Sequence, residues 1–278
     1  MPYLPVPGAT LYYDVRGTGP TLLISQSGEG DADRTVDLVN HLATDHTVIT
    51  YDRRGLSRSA LADPERGATM HDHAEDARHL LEALTDTPAL MLGCSLGAVI
   101  GLHLAARRPG LLSTLIAHEP VAPTLLPPAE RTHHTAELAE IQTTYQQHGL
   151  TEAFKSIAQV LGIDPTNPGA EPGRTPQPMT PQRVRNFAYF IENDFTAVID
   201  DVLPTQPLTA TTTRIIPAAG RTTPAEVFDR RCADELSVLT GEPVAMFPGG
   251  HNGNTTHPRA YAARVRETFH AAGALAAE

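Results

Sequence analysis

The chain has no tryptophan, two cysteines and one lysine, Lys155, among 278 residues. Cys94 and Cys232 do not make a disulfide framework, so the fold has to rest on its core, and reduced thiols in a cytoplasmic setting are expected. No apolar stretch reaches the roughly 18 residues that a membrane helix needs. The opening Met1-Pro2-Tyr3-Leu4-Pro5 has neither the basic stretch nor the apolar core of an export signal. Positive charge is scarce as well. Against 32 Asp and Glu stand 21 Lys and Arg, and the net charge of −11 argues against nucleic acid or an anionic membrane as partner.

What is present suits a large core. Hydrophobic residues make up 41% of the chain, mean hydropathy is −0.21, and the length fits one sizeable α/β domain with room for an insertion. Short continuous apolar runs at 21–24, 46–51 and 111–117 read as strands covered on both faces. A further strand is expected at 10–15. Between them lie helical patterns: one capped by Asp31 with Val36, Val39 and Ala43 inward, and one at 71–84 with Ala74, Ala77, Leu80, Leu81 and Leu84 on one face. Strands alternating with helices at this spacing predict a parallel sheet with helices on both faces. From 121 to 208 the alternation stops. Helices are expected at 129–147, 151–161 and 181–200, with a Pro/Gly/Thr-rich loop at 162–181 that is long enough to suggest a lid or mobile segment. Alternation then resumes with strands at 213–217 and 243–247 and helices near 224–238 and 257–275.

The most informative stretch is Gly93-Cys94-Ser95-Leu96-Gly97. An apolar strand at 89–92 runs into it and an apolar helix, 96–107, leaves it. Glycines at both sides of the turn let strand and helix backbones meet, so the serine stands at a strained tip with its hydroxyl over the end of the sheet. The next amide, of Leu96, then points at whatever Ser95 attacks.

Together with Asp52-Arg53-Arg54-Gly55, Ser57 and Ser59, and with the late Pro248-Gly249-Gly250-His251, this elbow resembles the α/β-hydrolase fold along nearly the whole chain. The nearest likeness is to actinobacterial ester- and lactone-processing serine hydrolases with a helical cap. The resemblance implies a mostly parallel eight-stranded sheet flanked by helices. It also implies a core of residues 1–120 and 209–278, with a helical cap at 121–208. It implies a triad in the order serine, acid, histidine, with Ser95 as nucleophile and His251 as base. The acid is the weak joint. The segment Gly220-Arg221-Thr222-Thr223 has threonine where the family usually has aspartate. Some members take the acid from the end of the preceding strand, where Glu119 stands here. Glu119 is therefore expected, with Glu226 and Asp229 as alternatives. The oxyanion donors are expected to be the Leu96 amide and one from Gln26-Ser27-Gly28, Ser27 first and Gly28 next. Phe187, Phe190, Ile191 and Phe195, three and four residues apart, are expected to shape the acyl pocket. Leu125, Leu126 and Met179 are possible additions.

The expected activity is cleavage of an ester, lactone or thioester through an acyl-serine, on a small acyl substrate, free or borne by a carrier protein. An acyltransferase with the same covalent step and a non-catalytic binding protein are the alternatives. No cofactor and no metal are expected. His71-Asp72-His73 reads as a solvated helix start and His133-His134 as part of a polar helix. Gly28-Glu29-Gly30 is too short and acidic to cradle a phosphate.

Overall fold

A computed structural model describes residues 2–163 and 169–275. In chain order the first part contains β1 (Tyr3–Val6), β2 (Ala9–Arg16), β3 (Thr21–Ser25), α1 (Val36–Leu42), β4 (Thr47–Tyr51), β5 (Ala60–Leu61), α2 (Met70–Leu84), β6 (Ala89–Cys94), α3 (Leu96–Arg107) and β7 (Leu112–His118). A 3₁₀ turn at Pro123–Leu125 follows, then α4 (Pro128–His148), α5 (Leu150–Val160), α6 (Pro181–Tyr189), a π-helical turn at Phe190–Asp194, α7 (Phe195–Ile199) and α8 (Thr205–Ala210). The chain returns through β8 (Arg214–Gly220), α9 (Phe228–Thr240), β9 (Ala245–Phe247), α10 (Gly253–Thr256) and α11 (Pro258–Leu275).

The strands form one sheet in the order β1-β2-β4-β3-β6-β7-β8-β9, with the two-residue β5 paired to β2. Among the described residues that makes nine strands where eight were expected; β5, at two residues, is too short to carry a pattern. The pairs from β4 across to β9 are parallel, while β2 meets β1, β4 and β5 antiparallel.

Period-two alternation in the buried strands sorts the core into two layers. Leu22, Ile24, Val48, Leu92 and Ile116 face α1 and α11, where they meet Leu38, Leu42, Tyr261 and Val265. Leu23, Ile49, Met91, Leu115 and Ala117 face α2, α3 and α9 with Leu80, Val99 and Leu236. Runs that are apolar on both faces are therefore strands covered by helices on both sides. α2 starts on a reciprocal cap, Thr69 with Asp72.

Some local expectations need correcting. Asp31 does not cap α1, which starts at Val36 after Thr35; its carboxylate accepts instead from the Ser57 hydroxyl at 2.6 Å. The helix expected over 181–200 is present as a continuous helical run of α6, the π turn and α7, the hydrogen-bond pattern changing at the π turn. Of the loop at 162–181, residues 164–168 lie outside the described residues. Its described end is pinned to the core rather than free: Thr175 donates to Asp37 from its amide (2.8 Å) and its hydroxyl (2.7 Å), and the Glu171 carboxylate accepts from the Arg259 and Ala260 amides, both at 2.9 Å. Among the described residues no helix is long and apolar enough to cross a membrane.

Candidate active site

Ser95 closes β6 and opens α3 at φ 55°. A non-glycine residue with positive φ costs on the order of 1–3 kcal/mol and persists only where its surroundings enforce it. Here they do. A Cβ on Gly93 would lie 2.5 Å from the Gly97 carbonyl oxygen, and the Ser95 amide donates to His118 O at 2.8 Å, fixing the turn on the neighbouring strand.

Glu119 stands one residue beyond β7, beside the elbow, and is strained in the same way at φ 44°. Its amide donates to Ala218 O at 2.9 Å, and its Oε1 accepts from the Gly220 amide at 2.8 Å. Its Oε2 accepts from His251 Nδ1 at 2.8 Å. A second carboxylate meets the same nitrogen: Asp229, in the first turn of α9, contacts His251 Nδ1 as well. Both carboxylates are fully buried. Glu226 lies exposed, and Thr223 is buried without a carboxylate to offer. The structure thus brings Glu119, Asp229 and His251 together and leaves Glu226 out.

The electrostatics follow from this crowding. Burial alone would raise the Glu119 carboxyl, but the hydrogen bond from His251 holds it below the usual carboxylate range. Asp229 is pushed up, first by burial and then by the Glu119 charge, with His251 opposing. Burial would lower His251; the two carboxylates outweigh it and hold the imidazole above the usual histidine range.

Ser95 and His251 line a cavity of about 190 Å³ with Ser27, Gly28, Phe187 and Phe190. A smaller apolar recess of about 30 Å³ also opens at Ser95, walled by Phe190, Phe195, Phe228, Leu138 and Ile141 among others. Of the residues expected to shape a pocket, Phe187, Phe190 and Phe195 line these spaces. Ile191 is fully buried, Leu125 packs on the core, and neither lines either cavity; Leu126 is buried and Met179 is half exposed. The sequence reading missed Ile157 and Leu161, which face both spaces from α5 and its end; the amphipathic spacing of that helix was the available signal.

His73 is not at a solvated helix start. It is buried, and its Nε2 pairs with Asp194 at 3.1 Å. Among the described residues, two groups bring three metal-capable side chains within reach of one another: His133, His134 and Glu137 on α4, and Glu119, Asp229 and His251. In the first, His134 stacks on Phe228 and pairs with Glu137. In the second, both Glu119 oxygens already accept hydrogen bonds.

A model of the alpha/beta hydrolase fold matches residues 20–162. An uncharacterised hydrolase of Bacillus subtilis (strain 168), YraK, is 34% identical over 268 residues, which cover 95% of this chain and 94% of that one. The zearalenone hydrolase of Bionectria ochroleuca is 27% identical over 267 residues, 94% of each chain. Among solved structures, the enol-lactonase from Burkholderia xenovorans LB400 superposes with a TM-score of 0.69 at 18% identity, covering 96% of this chain and 98% of the other. An N-acyl homoserine lactone degrading enzyme, Est816, gives 0.69 at 19% identity, covering 96% and 99%. At such identities the structural likeness speaks for the fold.

Proposed function

Because the chain belongs to the α/β-hydrolase family, and is on that ground a hydrolase, we propose that it cleaves an ester, lactone or thioester through an acyl-serine on Ser95, with His251 as base and Glu119 as acid. His251 Nε2 takes the Ser95 proton as Oγ attacks the acyl carbon. The tetrahedral oxyanion is received by the Leu96 amide and by Ser27 or Gly28. Its collapse expels the alcohol or thiol, which leaves with the proton from His251. Water, deprotonated by the same imidazole, then frees the acid. Glu119 keeps the Nδ1 proton in place and stabilises the imidazolium as it forms. These groups complete acyl transfer and call for no cofactor.

The observation that carries this reading is the strained Ser95, at φ 55° on a strand tip, sharing a cavity with a histidine whose other nitrogen faces a buried carboxylate. The structural neighbours named for lactones set the substrate range to try first. The helices of 121–208 act as a cap over the serine, and their apolar side chains favour an apolar acyl or ring portion. The substrate is a small acyl compound, free or on a carrier protein. Labelling with a fluorophosphonate tests the nucleophile. Wild type is expected to label stoichiometrically with loss of activity and Ser95→Ala to stay unlabelled; a wild type that does not label overturns the reading.

A further inference from the structure

Arg53 is 1% exposed, yet none of the proposed chemistry uses it. From the loop after β4 its guanidinium reaches three successive backbone carbonyls of the loop after β3. Nη1 donates to Gln26 O at 3.2 Å and to Ser27 O at 2.8 Å, and Nη2 donates to Gly28 O. Nη2 also donates to Asp194 Oδ2 at 2.8 Å, and Asp194 Oδ1 meets His73 Nε2 at 3.1 Å. Asp194 is fully buried and ends the π-helical turn. At the other end of that turn, Phe190 covers Gly28 so closely that a Cβ there would lie 2.2 to 2.5 Å from three carbons of its ring.

A trans peptide points its C=O and N–H in opposite directions. If the carbonyls of residues 26, 27 and 28 all point at one guanidinium, the amides of Ser27, Gly28 and Glu29 all point away from it. Those three residues line the cavity beside Ser95. Among the described residues, none of the three amides donates to another protein group. One buried side chain therefore sets the direction of several free donors, and Asp194 balances its charge.

We propose that Arg53, held by Asp194, is a positioning residue that turns the amides of Ser27, Gly28 and Glu29 toward the cavity at Ser95, the Ser27 or Gly28 donor to the oxyanion among them, and ties their aim to the turn carrying Phe190. This rests on the acyl-serine reading above. A fixed array of donors is worth more than mobile ones, because no reorganisation is needed as charge develops. The planar fork of arginine is what spans three carbonyls and a carboxylate at once; a lysine ammonium, a compact charge on a flexible stem, does not reproduce it.

The test uses the full chain with Arg53→Lys, which keeps the charge opposite Asp194, and Asp194→Asn, which keeps the side-chain shape. kcat and KM are measured on a p-nitrophenyl ester, and Ki for an alkyl boronic acid, which becomes tetrahedral on the serine. Loss of one oxyanion donor costs about 10²–10³ in kcat. For Arg53→Lys the expectation is a kcat lower by about 10²-fold, a boronate Ki raised by a similar factor and a KM within about twofold. Asp194→Asn shows the same split, smaller. The inference is overturned if either folded variant keeps kcat, if the loss falls on KM, or if kcat falls while boronate binding does not. If wild type labels on Ser95 but these outcomes fail, only the positioning role is lost. If wild type does not label, the acyl-serine reading itself is lost.

Discussion

The Glu119 carboxylate lies 2.8 Å from His251 Nδ1 although the two residues are 132 apart in the chain. Loss of a triad acid costs about 10⁴ in kcat when nothing replaces it. Here Asp229 contacts the same nitrogen. Glu119→Gln is therefore expected to lower kcat by less than that, on the order of 10²-fold, and the double variant with Asp229→Asn to fall the rest of the way. Turnover of a p-nitrophenyl ester checks both. A Glu119→Gln enzyme at full speed removes Glu119 from the triad.

The second carboxylate also sets the pH dependence. The base must be neutral to accept a proton, and Asp229 with Glu119 hold His251 above the usual histidine range. His118, buried behind Glu119 and pushed down to about 4 by burial, adds no charge in the working range. The acid limb of kcat/KM is thus expected above the ordinary histidine value of about 6.5. Asp229→Asn removes one negative charge, so the imidazole gives up its proton at lower pH. The limb moves toward acid, and relative activity at pH 6 rises. The limb belongs to the coupled group as a whole. A pH–rate profile that stays in place in Asp229→Asn contradicts the shared role.

How much of this was legible depended on the range of the determining contacts. Ser95 could be read because an elbow is local: strand, two glycines and helix all lie between residues 89 and 107. Glu119 and His251 were readable as strand-end positions, each next to an apolar run. Asp229 was weighed as one alternative, but that it would meet His251 alongside Glu119 depends on how α9 packs beside β8, and no pattern in 224–238 records that. The contacts of Arg53 stayed hidden inside a noticed motif, since its partners, 26–28 and 194, sit up to 141 residues away. His73 was misread for the same reason. A helix start looks solvated until the π turn, contributed by a distant segment, covers it.

Gly28 offers a prediction about shape. A Cβ at this position would lie 2.2 Å from the nearest Phe190 ring carbon, so Gly28→Ala must shift either the ring or the loop whose amide is proposed to hold the oxyanion. Activity is expected to drop by about tenfold or more, as for a misaimed donor. Phe190→Ala removes the obstacle, and the double variant should recover much of the kcat. Phe190→Ala alone should merge the two spaces at Ser95 and extend activity to longer acyl esters. A double variant no better than Gly28→Ala would show that the ring is not what Gly28 makes room for.

The last prediction concerns stability away from the serine. α11 begins at Pro258, and the amides of Arg259 and Ala260 find their acceptor in Glu171, from the loop after α5. Free amides at a helix start are satisfied by such a carboxylate, which also complements the positive end of the helix dipole. α11 packs Tyr261, Val265 and Phe269 onto the sheet, so its first turn matters to the core. Glu171→Ala is expected to destabilise by about 1 kcal/mol, within the range of lost N-caps, and to lower Tm by a few degrees. Glu171→Gln keeps an acceptor and should lose less. Neither should change kcat, because Glu171 lies outside both spaces at Ser95. Thermal unfolding of the three proteins decides it: equal midpoints would mean that the loop merely lies on the helix, and a loss of kcat at unchanged Tm would mean that it reaches the site.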